Sequence, residues 1–179
     1  NTIQGALHAQ RVDHEMVIVG EEILTEQGEI LAFFVKEVIP AGLSHIKTVE
    51  LLREQDAFIS VSHPFDIFRH PWDLDALLDI IPYIDAIEVF NARSPSLSMS
   101  KKALEFASLH KLAGTVGSDA HILYEVGFAS LRLPAFSNAA ELRDAIGFAS
   151  PQMRQAPFWV RFGSIFAKLA KYFQKEGDR

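Results

Sequence analysis

An α/β fold built from successive βα units is predicted by three observations. Short apolar runs rich in β-branched and aromatic residues recur along the chain. Segments with apolar residues at three- and four-residue spacing lie between most of them, so strand-like and helix-like stretches alternate. With 179 residues, 49% of them hydrophobic, the chain can bury one core and reads as one main domain. Continuous apolar runs are the pattern of parallel strands buried on both faces, and they leave a barrel and an open sheet with outer helices both available.

The elements follow in order. Residues 2–14 read as a helix leading into a strand at 16–19, so the strand that should precede that helix is expected to be missing and the chain to be incomplete at its start. A strand at 30–35 is followed by a helix at 44–55, for which Ser44 is the N-cap. Strands at 58–61, 86–90, 112–116 and 128–133 are interleaved with helices at 74–81 and 98–110 and followed by one at 138–147. Residues 157–175 place Phe158, Phe162, Ile165, Phe166, Leu169, Tyr172 and Phe173 on one helical stripe, with Arg161, Lys168, Lys171 and Lys175 elsewhere. The chain therefore divides into a body over 1–150 and a basic amphipathic C-terminal helix over 151–179. That helix either packs on the body or attaches to an anionic membrane surface or another subunit.

Composition narrows the chemistry. Without cysteine there is no disulfide framework and no thiolate ligand, so a metal would be held by imidazole and carboxylate, which favours Mn, Zn or Fe. No apolar run reaches the ~18 residues of a membrane span, and the first residues lack the basic head and apolar middle of a signal peptide, so a cytoplasmic protein is expected. The first 150 residues hold 11 basic against 21 acidic side chains and the last 29 hold six against two. An acidic body offers no footprint for a nucleic-acid backbone, whereas acidic groups in a cleft can neutralise cations.

In βα architectures the strand C-termini gather polar residues at one face. Glu21 and Glu22 follow one predicted strand, His63 another, Glu88 and Asn91 close a third, and Asp119 and His121 follow a fourth. A single strand-end Glu is usually solvated or ion-paired, and His8 and His14, six apart on a helix, read as surface residues. Asp119 and His121 form a stronger signal, because an i, i+2 Asp and His in a Gly-Ser turn can aim two ligands at neighbouring positions.

Taken together, Gly20-Glu21-Glu22-Ile23, Gly28-Glu29-Ile30-Leu31, Ser62-His63-Pro64-Phe65-Asp66, Glu88-Val89-Phe90-Asn91 and Gly117-Ser118-Asp119-Ala120-His121, in that order, resemble the PHP family of polymerase-associated domains and histidinol phosphatases. The resemblance covers about residues 1–147. It implies a distorted seven-stranded (β/α)7 barrel, incomplete here, with two or three divalent metal ions. By the same resemblance the metal ligands are Glu22, His63, Asp119 and His121, with Asp119 and His121 also catalytic. Glu29 stands where many members place a His and is either a further ligand or an ordinary strand residue.

Glu88 and Asn91 look like support for the site, and Glu21 should point the other way, solvated or paired. The family's opening His-x-His and Asp-His motifs are not in this sequence, so the 179 residues alone are expected to be inactive. The implied reaction is hydrolysis of a phosphate ester, either a small phosphorylated substrate or a short nucleotide, by metal-activated hydroxide. Arg69 and Arg93, in the loops after His63 and Asn91, are candidates to hold the phosphate oxygens, with Asn91 beside them. His70 reads as a loop histidine. Two rival readings are a noncatalytic metal-binding module of a larger replication or regulatory protein, and an amidohydrolase-type barrel acting on C–N bonds.

Overall fold

The computed structural model describes residues 2–160. Helix α1 (Gln4–Val12) leads into a hairpin of β1 (Gly20–Leu24) and β2 (Glu29–Phe33), followed by α2 (His45–Glu54) and β3 (Phe58–Val61). Helix α3 (Leu74–Ile80) precedes β4 (Ala86–Asn91), and α4 (Leu97–His110) precedes β5 (Ala113–Gly117). The described chain closes with β6 (Ala129–Arg132), α5 (Ala139–Ala145) and β7 (Ser150–Met153).

Five helices stand where the sequence predicts them, within about three residues at each end, and Ser44 caps α2 by accepting from the Lys47 amide at 3.2 Å. Asp73, Ser96 and Asn138 cap α3, α4 and α5 in the same way. Strands β1 to β5 form one sheet in sequence order, and β6 pairs antiparallel with β7 in a second.

Two expectations are corrected. Residues 16–19 are not a strand; the strand is Gly20–Leu24, so Glu21 and Glu22 lie within it rather than beyond its end. The sheet is also not all parallel, because β1–β2 and β2–β3 pair antiparallel and only β3–β4 and β4–β5 are parallel. The cause is a short turn over 25–28. The Thr25 hydroxyl accepts from the amides of Gln27 and Gly28, while the Thr25 amide donates to the Gly28 carbonyl at 2.8 Å, which reverses the chain without room for a crossover helix. Gly28 is required there, since a Cβ would run into the indole of Trp72. β7 was not announced by the sequence, because its residues Ser150-Pro151-Gln152-Met153 are all exposed and carry no apolar alternation. The predicted helix over 157–175 falls mainly outside the described residues.

The two faces of the sheet differ in chemistry. Ile23, Ile30, Ala32, Ile59, Val61 and Ile87 face Val49 and Leu52 of α2, Leu77 and Ile80 of α3 and Phe106 of α4 in the larger core. On the other face Phe33 pairs with Phe58 across β2–β3 and Ala86 with Ala113 across β4–β5, and α5 covers them with Ala139 and Leu142. Moving along the strands, that face becomes polar at Ser60 and Thr115, whose hydroxyls meet at 2.7 Å, and then acidic at Glu22, Glu29 and Glu88. Both faces of β3 are covered, which is why all four of its residues are buried.

At the apolar end Asp85 ties the strand starts together. Its carboxylate accepts from the Ile59 amide at 2.8 Å and pairs with Arg53 and Arg143, each at 3.0 Å. At the acidic end the Ser118 hydroxyl bridges β5 to β6, donating to the Ala129 carbonyl and accepting from the Ala129 amide.

Candidate metal centre

Glu29 begins β2, and its carbonyl accepts from the Ser62 amide at 3.0 Å, which brings its side chain beside the next residue, His63. Glu22 lies opposite Leu31 on β1 and therefore shares the face of Glu29. One ligand atom each from Glu22, Glu29 and His63 lies within 4.8 Å of the others. Two oxygens and an imidazole nitrogen suit a borderline divalent cation.

The His63 ring supplies the test of that fit. It is buried, and its Nε2 stands 2.8 Å from Glu29 Oε2 and 3.8 Å from Glu22 Oε1, yet neither ring nitrogen has a partner aligned as a hydrogen bond. Two carboxylate oxygens set close about a buried imidazole nitrogen can also meet at one cation between them. Burial pushes the imidazole down, but the Glu22 and Glu29 carboxylates outweigh it and raise its pKa to about 9. Glu29 is lowered, chiefly by its contact with His63.

His63 has a φ of +25°, a backbone conformation few non-glycine residues adopt, and its amide donates to Glu88 Oε2 at 2.9 Å. Burial raises the Glu88 carboxyl to about 7 against the opposing His63 amide and charge. Asn91 also donates to Glu88, at 3.2 Å, although residues three apart on a regular strand face opposite ways. A register irregularity between Glu88 and Phe90 returns Asn91 to the face of Glu88. Across from Asn91, Gly117 leaves the space Glu88 needs, since a Cβ there would stand 2.5 Å from Glu88 Oε1. Glu88 thus connects the His63 amide to Asn91 through buried hydrogen bonds.

Asp119 and His121 form a second pair. Asp119 has a φ of +50°, and its Oδ2 accepts from Arg69 at 2.5 Å. Burial opposes the charge of Arg69, but Asp119 raises its pKa on balance. The same guanidinium lowers Glu29 and His63 through its charge, which links the two groups of residues electrostatically. The half-exposed His121 ring places Nδ1 2.8 Å from the Asp119 carbonyl. A carbonyl only accepts, so Nδ1 is the donor here, and in the neutral ring the lone pair is on Nε2.

Arg93 lies against Glu125, Nε to Oε1 at 3.2 Å, with a side chain only 9% exposed. Glu21 points away from the cluster; it is buried and accepts from the Ile39 amide at 3.1 Å, so it is paired and not solvated. His8, His14 and His70 are exposed and outside the cluster of ligand atoms. Two buried carboxylates were missed, Asp66 and Glu125. The signal for Glu125 was its place in the apolar run Leu123-Tyr124-Glu125-Val126-Gly127-Phe128, where an unpaired charge would be costly.

Residues 100–150 match the sequence model of a family described as PHP-associated. The uncharacterized protein MJ0417 of Methanocaldococcus jannaschii is 36% identical over 129 residues, covering 70% of this chain and 54% of its own length. MJ1587 of the same organism is 36% identical over 95 residues, covering 51% and 54%. The chain spans about half the length of these curated relatives. The crystal structure of PsfC from Pseudomonas syringae PB-5123 superposes with a TM-score of 0.61 at 21% identity, covering 84% of this chain and 65% of that one, a likeness of fold.

Proposed function

From the premise that this chain carries a PHP-family domain, we propose that it belongs to a metal-dependent hydrolase of phosphate esters, acting on a small phosphomonoester or a short nucleotide. The observation that carries the proposal is the convergence of Glu22, Glu29 and His63 within 4.8 Å. In this reading Glu22, Glu29, His63, Asp119 and His121 hold two or three divalent ions, and the sheet is part of a distorted seven-stranded barrel. When bound, such ions supply Lewis-acid charge and lower the pKa of water towards ~7.

The protein's own residues do the rest. Glu88 holds the His63 backbone in its strained conformation through one buried hydrogen bond. Asp119 and His121 supply one carboxylate and one imidazole Nε2 at the end of β5. In this reading Arg69, which pairs with Asp119, neutralises the oxygens of a phosphate drawn into the cleft. Arg93 and Asn91 are engaged with Glu125 and Glu88 and support the site from behind.

The deciding experiment measures bound manganese or zinc per chain, together with hydrolysis of an aryl phosphate, in the full-length protein and its Glu29→Gln and His63→Gln variants. Both variants should lose metal and turnover together. A protein that hydrolyses the ester equally well after exhaustive metal removal, or a His63→Gln variant with full metal content, would refute the proposal.

A further inference from the structure

We propose that Glu125, paired with Arg93, is a positioning residue that fixes where the His121 imidazole stands in the candidate metal centre; the inference rests on the reading of His121 as a metal ligand. Glu125 is 0% exposed, an unusual place for a carboxylate. Its Oε2 accepts from two consecutive amides, His121 at 2.8 Å and Ile122 at 3.1 Å, and its Oε1 faces Arg93 Nε at 3.2 Å. The buried charge is thus compensated by a cation and two amide donors on the loop that carries His121.

The contacts continue beyond Arg93. The Arg93 amide donates to Asn91 Oδ1 at 2.9 Å, Asn91 donates to Glu88, and Glu88 accepts from the His63 amide. A continuous run of polar contacts therefore joins the backbone of His121 on the β5–β6 connection to the backbone of His63 after β3. With its amide held by Glu125 and its Nδ1 by the Asp119 carbonyl, His121 has little freedom in where Nε2 points. Groups behind the ligands commonly set metal affinity in this way, with losses of ~10–100-fold when they are removed.

The reading changes the role of Arg93 from a contact to substrate phosphate to one half of a brace, and the two roles are separable by experiment. Cobalt(II) titration of the full-length protein, followed by its visible absorption, reports ligand geometry without requiring turnover, and calorimetry with inorganic phosphate reports anion binding to the loaded site. Glu125→Gln and Arg93→Gln should each weaken cobalt binding about tenfold and alter the absorption bands. Phosphate affinity at saturating cobalt should change less than about twofold, and the double variant should be no worse than either single one. If the glutamine variants do not fold, Arg93→Lys, which keeps the charge but loses the guanidinium geometry, should show a smaller shift of the same bands.

Cobalt spectra and affinity unchanged in Glu125→Gln or Arg93→Lys would overturn the brace. So would an Arg93→Gln variant that loses phosphate binding while keeping cobalt. A His121→Ala variant with unaltered cobalt binding would instead overturn the ligand reading beneath it, so the two failures are distinguishable.

Discussion

His63 concentrates the tension of the site in one residue: a left-handed backbone, a buried ring and two facing carboxylates. Its pKa, raised to about 9, makes the metal-free protein pH-sensitive in a definite direction. Below about pH 6.5 the imidazole is protonated in both folded and unfolded chains, and its ion pairing contributes fully. As pH rises through about 9 the folded state loses that proton and the contribution disappears. The lowered Glu29 pKa is the same interaction seen from its partner and is counted once. Glu88, raised to about 7, adds a loss of the same sign between about pH 4.5 and 7. In EDTA the urea midpoint should therefore fall between pH 6.5 and 9, by a stability change on the order of 1–3 kcal/mol, and His63→Gln should flatten that part of the curve.

Asp119 permits a cleaner separation of function from stability. Its φ of +50° is tolerated by Asn about as well as by Asp, so Asp119→Asn keeps the backbone. It removes the charge that pairs with Arg69 at a partly exposed position. In the full-length protein the denaturant midpoint should move by only ~1 kcal/mol in stability, while metal content falls and turnover drops by orders of magnitude. A variant with full metal and activity would take Asp119 out of the site.

At the scale of elements, the site depends on how β4 and β5 meet. The irregularity between Glu88 and Phe90 places Asn91 beside Glu88, and Gly117 on the neighbouring strand leaves the cavity in which Glu88 turns towards His63. Gly117→Ala should displace the Glu88 carboxylate and with it the amide contact that holds His63. A loss of metal affinity of about tenfold is expected, with a stability cost of ~1–3 kcal/mol from overpacking, measured by metal titration and urea unfolding on the same sample. Unchanged metal affinity would show that Glu88 has no part in placing His63. This geometry was not legible in advance, because one irregular residue reverses the inward and outward alternation that strand-pattern reading relies on.

Across the whole molecule, the sheet separates stabilisation from chemistry by position along the strands. Asp85 gathers Arg53, Arg143 and the Ile59 amide at the end where the parallel strands begin, whereas the candidate ligands stand at the opposite end. Asp85→Ala leaves two partly buried arginines without their shared carboxylate and should cost about 2 kcal/mol. Metal affinity at saturating folded protein should be unchanged, as checked by metal titration well below the unfolding midpoint. No helix among the described residues is long and apolar enough to cross a membrane.

By itself the sequence determined the βα rhythm, the five helices and the Ser44 cap, because each depends on interactions within a few residues of one another. Short motifs also marked Glu22, His63, Asp119 and His121 as candidate ligands, of which Glu22 and His63 stand together with Glu29. Tertiary structure decided the rest: the antiparallel hairpin that brings Glu29 to His63, the burial of Glu21, and the engagement of Arg93 with Glu125. These depend on which strands lie side by side and on one register irregularity. The pairing energies that settle such choices come from residues tens of positions apart, where neither periodicity nor motif spacing carries a signal.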